Sequence, residues 1–339
     1  MPLQFTRRRM IAISAAAAGL GLLPPRRARA TADVTDASLV TWRGTALGAP
    51  ATMQIHHHDR AAAESLIARA IAEVRRLEAL FSLYRSDSAL VDLNRHGVLA
   101  APAPELVDLL MECRRYSELS GGRFDATVQP LWTLYADHFA RDDADPSGPE
   151  AGALARALAC VGYENILVNR DRVAFARPGV RVTLNGIAQG YITDRVVDLL
   201  RAAGITQTLV DMGETRCLDA FPDGRPWQVG IADPDQPGRI WRTLSIVNQA
   251  VATSGGYGFR FDPQGRFNHL FDPATGHSAH AYRSVSVVAA TATAADALST
   301  AFSFMTLADI ERVLAAHDGA AAHLVLADGT LRSISPRRR

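Results

Sequence analysis

The sequence has no lysine; all 36 of its basic residues are arginine. That excludes Schiff-base chemistry and the phosphate-gripping lysine of a P-loop. Neither a G-x-x-x-x-G-K-[ST] run nor a clean G-x-G-x-x-G occurs, and "SGGYGF" (254–259) is glycine-rich without matching either. Cysteine is scarce. Cys113, Cys160 and Cys217 form no C-x-x-C pair, which excludes a disulfide framework and leaves them as small buried hydrophobes. No apolar run approaches the ~20 residues of a membrane-spanning helix. Formal net charge is +1, yet Arg7, Arg8, Arg9, Arg26, Arg27 and Arg29 fall in the first thirty residues with no acid among them. The remainder is therefore acidic, which argues against nucleic acid as a partner.

What is present begins with an address. "TRRRMIAISAAAAGLGLLPPRRARA" has arginines, an uncharged stretch from Met10 to Leu23, and an A-x-A ending at Ala30. This pattern reads as a twin-arginine-type export signal over 1–30, cleaved after Ala30, rather than an uncleaved basic anchor. It implies the twin-arginine export machinery as a partner, a periplasmic location, and no stable membrane insertion after cleavage.

Residues 31–339 are long enough for a full core. Extended segments flank a Gly-Ala-Pro turn within 39–57. Leu66, Ile67, Ala70, Ile71, Val74, Leu77, Leu80 and Phe81 then recur at helical spacing between Arg60 and Leu83. Asp87 or Ser88 caps a short helix that stops at Gly97, and a further helix spans Pro104 to Leu119. "RDDADPSGPE" (141–150) is a polar loop and the candidate lobe boundary. "NILVN", "RVAFA" and "RVTLN" read as strands, followed by a helix from Ile187 to Ala203 closed by Gly204. "QTLVDMG", "PWQVGIADP", "RTLSIVNQAVATSG" and "SVSVVAA" are further strands. A helix over 307–317 and a strand over 321–333 close the chain. Strands and helices mix without regular βαβ alternation, so the expected class is α+β with mixed sheets.

Four stretches can carry chemistry. In "TATAADALSTAFSFM" (291–305), Asp296 and Thr300 share a helix face and offer oxygen donors suited to a hard cation. The competing reading is a capping box, with Thr293 as N-cap and Asp296 three residues on. In "FNHLFDPATGHSAH" (267–280), His269 is either a general base or a satisfied structural histidine. His277 and His280 read as loop residues, and His56, His57 and His58 alternate faces. "VTLNGIAQGYITD" (182–194) places a glycine turn between strand and helix, which is either a phosphate cradle or a tight turn. In "SGGRFDATVQPLW" (120–132), Asp125 either meets a ligand or caps the next segment.

Taken in order, "LFSLYRSDSALVDLN", "GGRFDATVQPLW", "LNGIAQGYITDRVVDLL", "VATSGGY", "NHLFDPATG" and "ADALSTAF" resemble the signature blocks of the ApbE family of FAD:protein FMN transferases, over about residues 42 to 317. The leader and the "VQPLW" and "NGIAQGYITD" wording are most similar to its NosX branch, accessory to nitrous oxide reduction. The resemblance implies a two-lobed, T-fold-like α+β domain with FAD in the inter-lobe cleft. It implies Mg2+-dependent transfer of FMN from FAD to a Thr or Ser hydroxyl of an acceptor protein, with AMP released. It also implies that Gly186 (backbone carbonyl), Asp296 and Thr300 hold the metal, and that His269 activates the acceptor. Leu47, Tyr84, Phe124, Asp125, Thr183, Gln189 and Leu270 would line the FAD site. Both Mg2+ and Mn2+ accept oxygen donors.

The chain departs from the family pattern in three places. Thr183 stands where Asp is frequent, Gln189 where Lys or Glu is frequent, and Glu214 where a second glycine is usual. No S-G-A-[ST] acceptor run occurs, so the acceptor is another protein, a NosR-type flavin domain if the chain is NosX-like. An FAD pyrophosphatase, a non-catalytic FAD carrier and a structural export accessory remain open beside the transferase.

Overall fold

The computed structural model describes residues 20–22, 39–46, 49–236, 238–317 and 319–335. Leu47 and nearly all of the leader lie outside them. Strands β1 (Leu20–Leu22), β2 (Leu39–Ala46) and β3 (Ala49–His56) come first. Helices α1 (Arg60–Phe81), α2 (Ala89–His96), α3 (Pro104–Leu119), α4 (Gln129–Phe139) and α5 (Ala151–Leu158) follow, with β4 (Val98–Ala100) after α2. Next come β5 (Ile166–Val168), β6 (Arg172–Phe175), α6 (Ala188–Ala202), β7 (Thr208–Asp211), β8 (Thr215–Leu218), β9 (Trp227–Ala232), β10 (Ile240–Ile246), β11 (Ala250–Ser254) and β12 (Tyr282–Ala289). The chain closes with α7 (Ala292–Phe302), α8 (Leu307–Ala315), β13 (Ala321–Leu326) and β14 (Leu331–Ile334).

One antiparallel sheet in the order β14-β13-β12-β11-β8-β7-β3-β2 organises the fold. Period-two alternation loads both of its faces. Ala250, Ala252, Val285 and Val287 point into the main core shared with the helices. Val251, Val288, Leu209 and Cys217 point the other way, against Trp227, Val229 and Ile246 of the small β1-β9-β10 sheet. A third sheet, β4-β6-β5, is also antiparallel. The class is α+β, as the pattern indicated.

Local chemistry explains the helices. Asp59 caps α1 by accepting from the Ala61 and Ala62 N–H groups, and Ala63, Leu66, Ile67, Ala70, Val74, Leu77 and Phe81 are its buried stripe. Ser88 caps α2, and Gly97 ends it in the left-handed region at φ 72°. Among the described residues no helix is long and apolar enough to cross a membrane.

Several expectations need correction. "RVTLN" forms no strand: the Asn94 amide takes both the N–H and the C=O of Val182, and Thr183 N–H donates to Ala126 O. Those bonds replace a ladder. The closing strand is a hairpin, β13 and β14. Helices α4 and α5 lie where the sequence shows no capping signal, and neither has a side-chain cap. The 141–150 loop is docked, with the Pro146 carbonyl accepting from Arg266 and Gly148 lying against Phe267. Cys160 is only partly buried.

Helix α6 meets α7 at backbone contact. A Cβ on Gly190 would lie 2.3 Å from the Ala292 carbonyl oxygen and 2.8 Å from the Thr293 nitrogen. These are backbone atoms that cannot rotate aside. Gly190→Ala is therefore expected to destabilise the chain by about 1–3 kcal/mol, read from urea unfolding midpoints. An unchanged midpoint would show that the two helices separate freely.

Candidate active site

The start of α7 is held from outside its own sequence. Thr291 is its N-cap and accepts from the Ala294 N–H at 3.2 Å. Asp194, on α6, accepts from the Ala292 N–H (2.8 Å), the Thr293 N–H (2.9 Å) and the Thr293 hydroxyl (2.5 Å). Arg216 on β8 donates to the same carboxylate at 2.6 Å. The orphan donors of the helix are thus satisfied across the α6–α7 crossing. The capping-box reading fails on this point, since Thr293 lies inside the helix. Asp296 accepts instead from the Gly190 N–H at 3.0 Å through Oδ2.

Released from capping, Asp296 lines a cleft of about 920 Å3, counting the space open to solvent at its mouth. Gly186 and Thr300 line it too, and the two approach closely: a Cβ on Gly186 would lie 3.0 Å from the Thr300 hydroxyl oxygen. Thr300 Oγ1 is 3.4 Å from Ser254 Oγ, which bonds Ser299 Oγ at 2.7 Å. Carboxylate, hydroxyl and carbonyl oxygens here suit a hard divalent cation. Among the described residues no three His, Cys, Asp or Glu side chains can hold a metal by themselves. A cation at this point depends on the hydroxyl and carbonyl as well.

His269 lines the same cleft. Its Nδ1–H donates to the Phe259 carbonyl at 3.3 Å, since a carbonyl can only accept. The tautomer that results keeps the lone pair on Nε2. Burial pushes the ring's pKa down to about 4, so it is neutral at physiological pH.

Phe124, Asp125, Thr183, Gln189 and Leu270 also line the cleft. Asp125 is committed: its Oδ1 accepts from the Thr127 N–H and hydroxyl, and its Oδ2 from the Tyr163 N–H. Tyr84 stands outside the lining, where the Asn185 amide donates to its hydroxyl at 3.4 Å. Asn185 itself lines the cleft, so the glycine turn of 182–194 faces it. Sequence reasoning missed Arg123, Trp132, Thr253 and Ser254 as lining residues, and their type alone gives no signal. Arg123 is bound to Asp272, with Nη1 at 2.8 and 3.0 Å from the two carboxylate oxygens.

A family model described as the ApbE family matches residues 47–324. The chain belongs to the ApbE family. Among ApbE-like relatives it is 29% identical over 318 residues to an FAD:protein FMN transferase of Klebsiella pneumoniae, spanning 90% of this chain and 87% of that one. It is 33% identical over 251 residues to the FAD:protein FMN transferase of Treponema pallidum, spanning 66% of this chain and 67% of that one. Among solved structures, the ApbE protein of Thermotoga maritima superposes with a TM-score of 0.77 at 28% identity, covering 87% of this chain and 97% of that one. The apo flavinyl transferase ApbE of Pseudomonas stutzeri does so at 0.74 and 26%, covering 89% and 97%.

Buried acids lie in and next to the ApbE cleft: Asp296 and Glu214 line it, and Asp211 stands outside the lining. Burial pushes the Asp296 carboxyl up to about 7, with the charge of Asp194 adding to it. Burial likewise raises Asp211 to about 6 and holds Glu214 well above the carboxylate range. An acid whose folded pKa is raised contributes stability that is fully present below its unfolded pKa, near 4, and is lost as pH rises through the folded value. Asp296→Asn has no charge to bury. In cation-free buffer its stability relative to the parent should therefore rise between pH 5 and 8, by on the order of 2 kcal/mol. Urea titrations at several pH values check this, and a pH-independent difference would contradict the burial of an ionisable Asp296.

Proposed function

We propose that the chain transfers FMN from FAD to a Ser or Thr hydroxyl of another protein, in a Mg2+-dependent reaction at this cleft. The observation that carries the proposal is the close approach of Gly186 to Thr300 in a cleft that Asp296 and a neutral His269 also line, in a chain of the ApbE family. Phosphoryl-type transfer needs an in-line nucleophile and neutralisation of charge on the pyrophosphate. Mg2+, held by the Asp296 carboxylate, the Thr300 hydroxyl and the Gly186 carbonyl, would supply that neutralisation. Held there, the charge would lie within the cleft that all three residues line. Phe124 and Leu270 offer apolar surface to the flavin. Thr183 and Gln189 bind by neutral hydrogen bonds, as their types require. His269 Nε2 accepts the proton of the attacking hydroxyl. The new bond joins that oxygen to the FMN phosphorus, the bond to the AMP oxygen breaks, and AMP leaves.

We read the acceptor as a periplasmic flavoprotein of NosR type. The twin-arginine-like leader and the NosX-like wording of the blocks support this, as does the lack of an S-G-A-[ST] run. Cleavage after Ala30 would remove β1, the edge strand paired with β9. The exported protein should then begin at Thr31, which N-terminal sequencing of periplasmic material checks. A start at Met1 would contradict export with cleavage.

The transfer is tested by mass spectrometry of the acceptor's soluble flavin domain, mixed with the chain, FAD and Mg2+. The expected outcome is covalent FMN on the acceptor and free AMP. Asp296→Ala should abolish it, and His269→Ala should slow it by about 10²–10⁴-fold. Intact FAD bound without turnover would favour a carrier. FMN and AMP free in solution, with no adduct, would favour a pyrophosphatase.

A further inference from the structure

Glu214 sits one residue before β8, where the pairing of β8 with β11 runs out beyond Val251 and Thr215. Its residue is 1% exposed and it lines the cleft with Asp296 and Thr300. Gly213, at φ 104°, packs against the Gln189 amide, and the Glu214 carbonyl accepts from Met212 N–H and the Thr193 hydroxyl. The backbone is thus fixed on both sides of the side chain. The Thr253 N–H hydrogen bonds to the carboxylate. The other oxygen, Oε2, has no partner among the described residues.

A buried carboxylate oxygen without a partner costs several kcal/mol in general, and native structures seldom keep one without a use. No counter-charge within the cleft explains it. Arg123 is the one guanidinium among the lining residues, and it is bound to Asp272. His269 is neutral. Arg216, close by in sequence, is taken by Asp194. Glu214, which carries the orphan oxygen, therefore lines one cleft with Asp296 and Thr300, and no cationic side chain among the lining residues is left to balance them.

We propose that Glu214 Oε2 is a further oxygen donor to the divalent cation of this site, giving the cation a second carboxylate from β8 beside the one from α7. This rests on the reading that a cation binds at Asp296 and Thr300, and extends it to a residue of the sheet. A second anionic ligand tightens a hard-cation site by raising its ligand charge. It also ties the cation to the sheet as well as to the helix.

The test is Mn2+ binding to the purified full-length chain, followed by electron paramagnetic resonance of free Mn2+ with and without FAD. Wild type, Asp296→Ala and Glu214→Gln are compared, with melting temperature measured alongside. The expected result is binding to wild type, loss in Asp296→Ala, and affinity about 10–100-fold weaker in Glu214→Gln. Without Mn2+, Glu214→Gln should melt no lower than wild type, because the amide keeps the shape of the buried carboxyl group. Its melting-temperature gain on adding Mn2+ should be smaller than that of wild type. Equal Mn2+ affinity in Glu214→Gln and wild type would overturn the proposal. So would a Glu214→Gln that melts lower while binding Mn2+ as wild type does, because Glu214 would then be a structural residue only. If Glu214→Gln does not fold, Glu214→Asp keeps the charge and shortens the reach. It should then bind Mn2+ more weakly than wild type, and equal binding would overturn the proposal. No Mn2+ binding to wild type under either condition would instead remove the cation reading itself, and this inference with it.

Discussion

The site depends on the crossing of α6 and α7 at Gly190, sealed by Asp194. A helix that begins inside the protein must satisfy its first N–H groups without water. α7 does so with a carboxylate from another helix, and Arg216 balances that carboxylate from β8. The absence of a side chain at Gly190 lets the helices close to backbone contact. That contact brings the Gly190 N–H to Asp296 and fixes where the second carboxylate oxygen can go. Alanine after alanine in α7 serves the same end, since larger side chains would hold the helix off β11 and β12.

The electrostatics of the cleft run opposite to what a phosphate-rich substrate would ask of protein side chains alone. Asp125, Glu214 and Asp296 line it, and its one arginine is committed to Asp272. The chain has no lysine to place a compact point charge there, and a guanidinium is planar and delocalised. Oxygen donors clustered by Gly186 and Thr300 are what a hard cation requires. Acid, hydroxyl and carbonyl together therefore make sense as one device, while each alone would be a destabilising burial or an ordinary turn.

Much of this was legible in the sequence where the signal is local. The stripe of α1, the Ser88 and Gly97 ends of α2, and the left-handed Gly204 after α6 follow from spacing and capping chemistry. α4 and α5 were not, because they begin at Val128 and Glu150 without a side-chain cap bond and owe their place to an aromatic cluster with Phe261 and Phe271. "RVTLN" has strand composition, but Asn94, far away in sequence, takes its hydrogen bonds. The capping of α7 misled for the same reason: Thr293 has the right type, and only the fold reveals that Asp194 is present. Asp296 and Thr300 could be paired from their spacing on one helix. Their meeting with Gly186 could be reached only through family resemblance, because the approach is tertiary. Glu214 stood out as a departure, and its orphan oxygen could be seen only once β8 and β11 were laid side by side.

His269 shows how burial and chemistry combine in the proposed reaction. The Phe259 carbonyl accepts from both the ring and the backbone N–H of His269, which fixes ring orientation and tautomer together. Burial then makes the free ring a weak base, with a pKa near 4. A polyanionic substrate in the cleft changes that balance, because negative charge beside the ring favours the imidazolium. In the proposed reaction His269 would thus gain basicity when FAD is bound, at the moment an acceptor hydroxyl must lose its proton. In the empty cleft the ring stays neutral, so it adds no positive charge beside the acids that line the cleft.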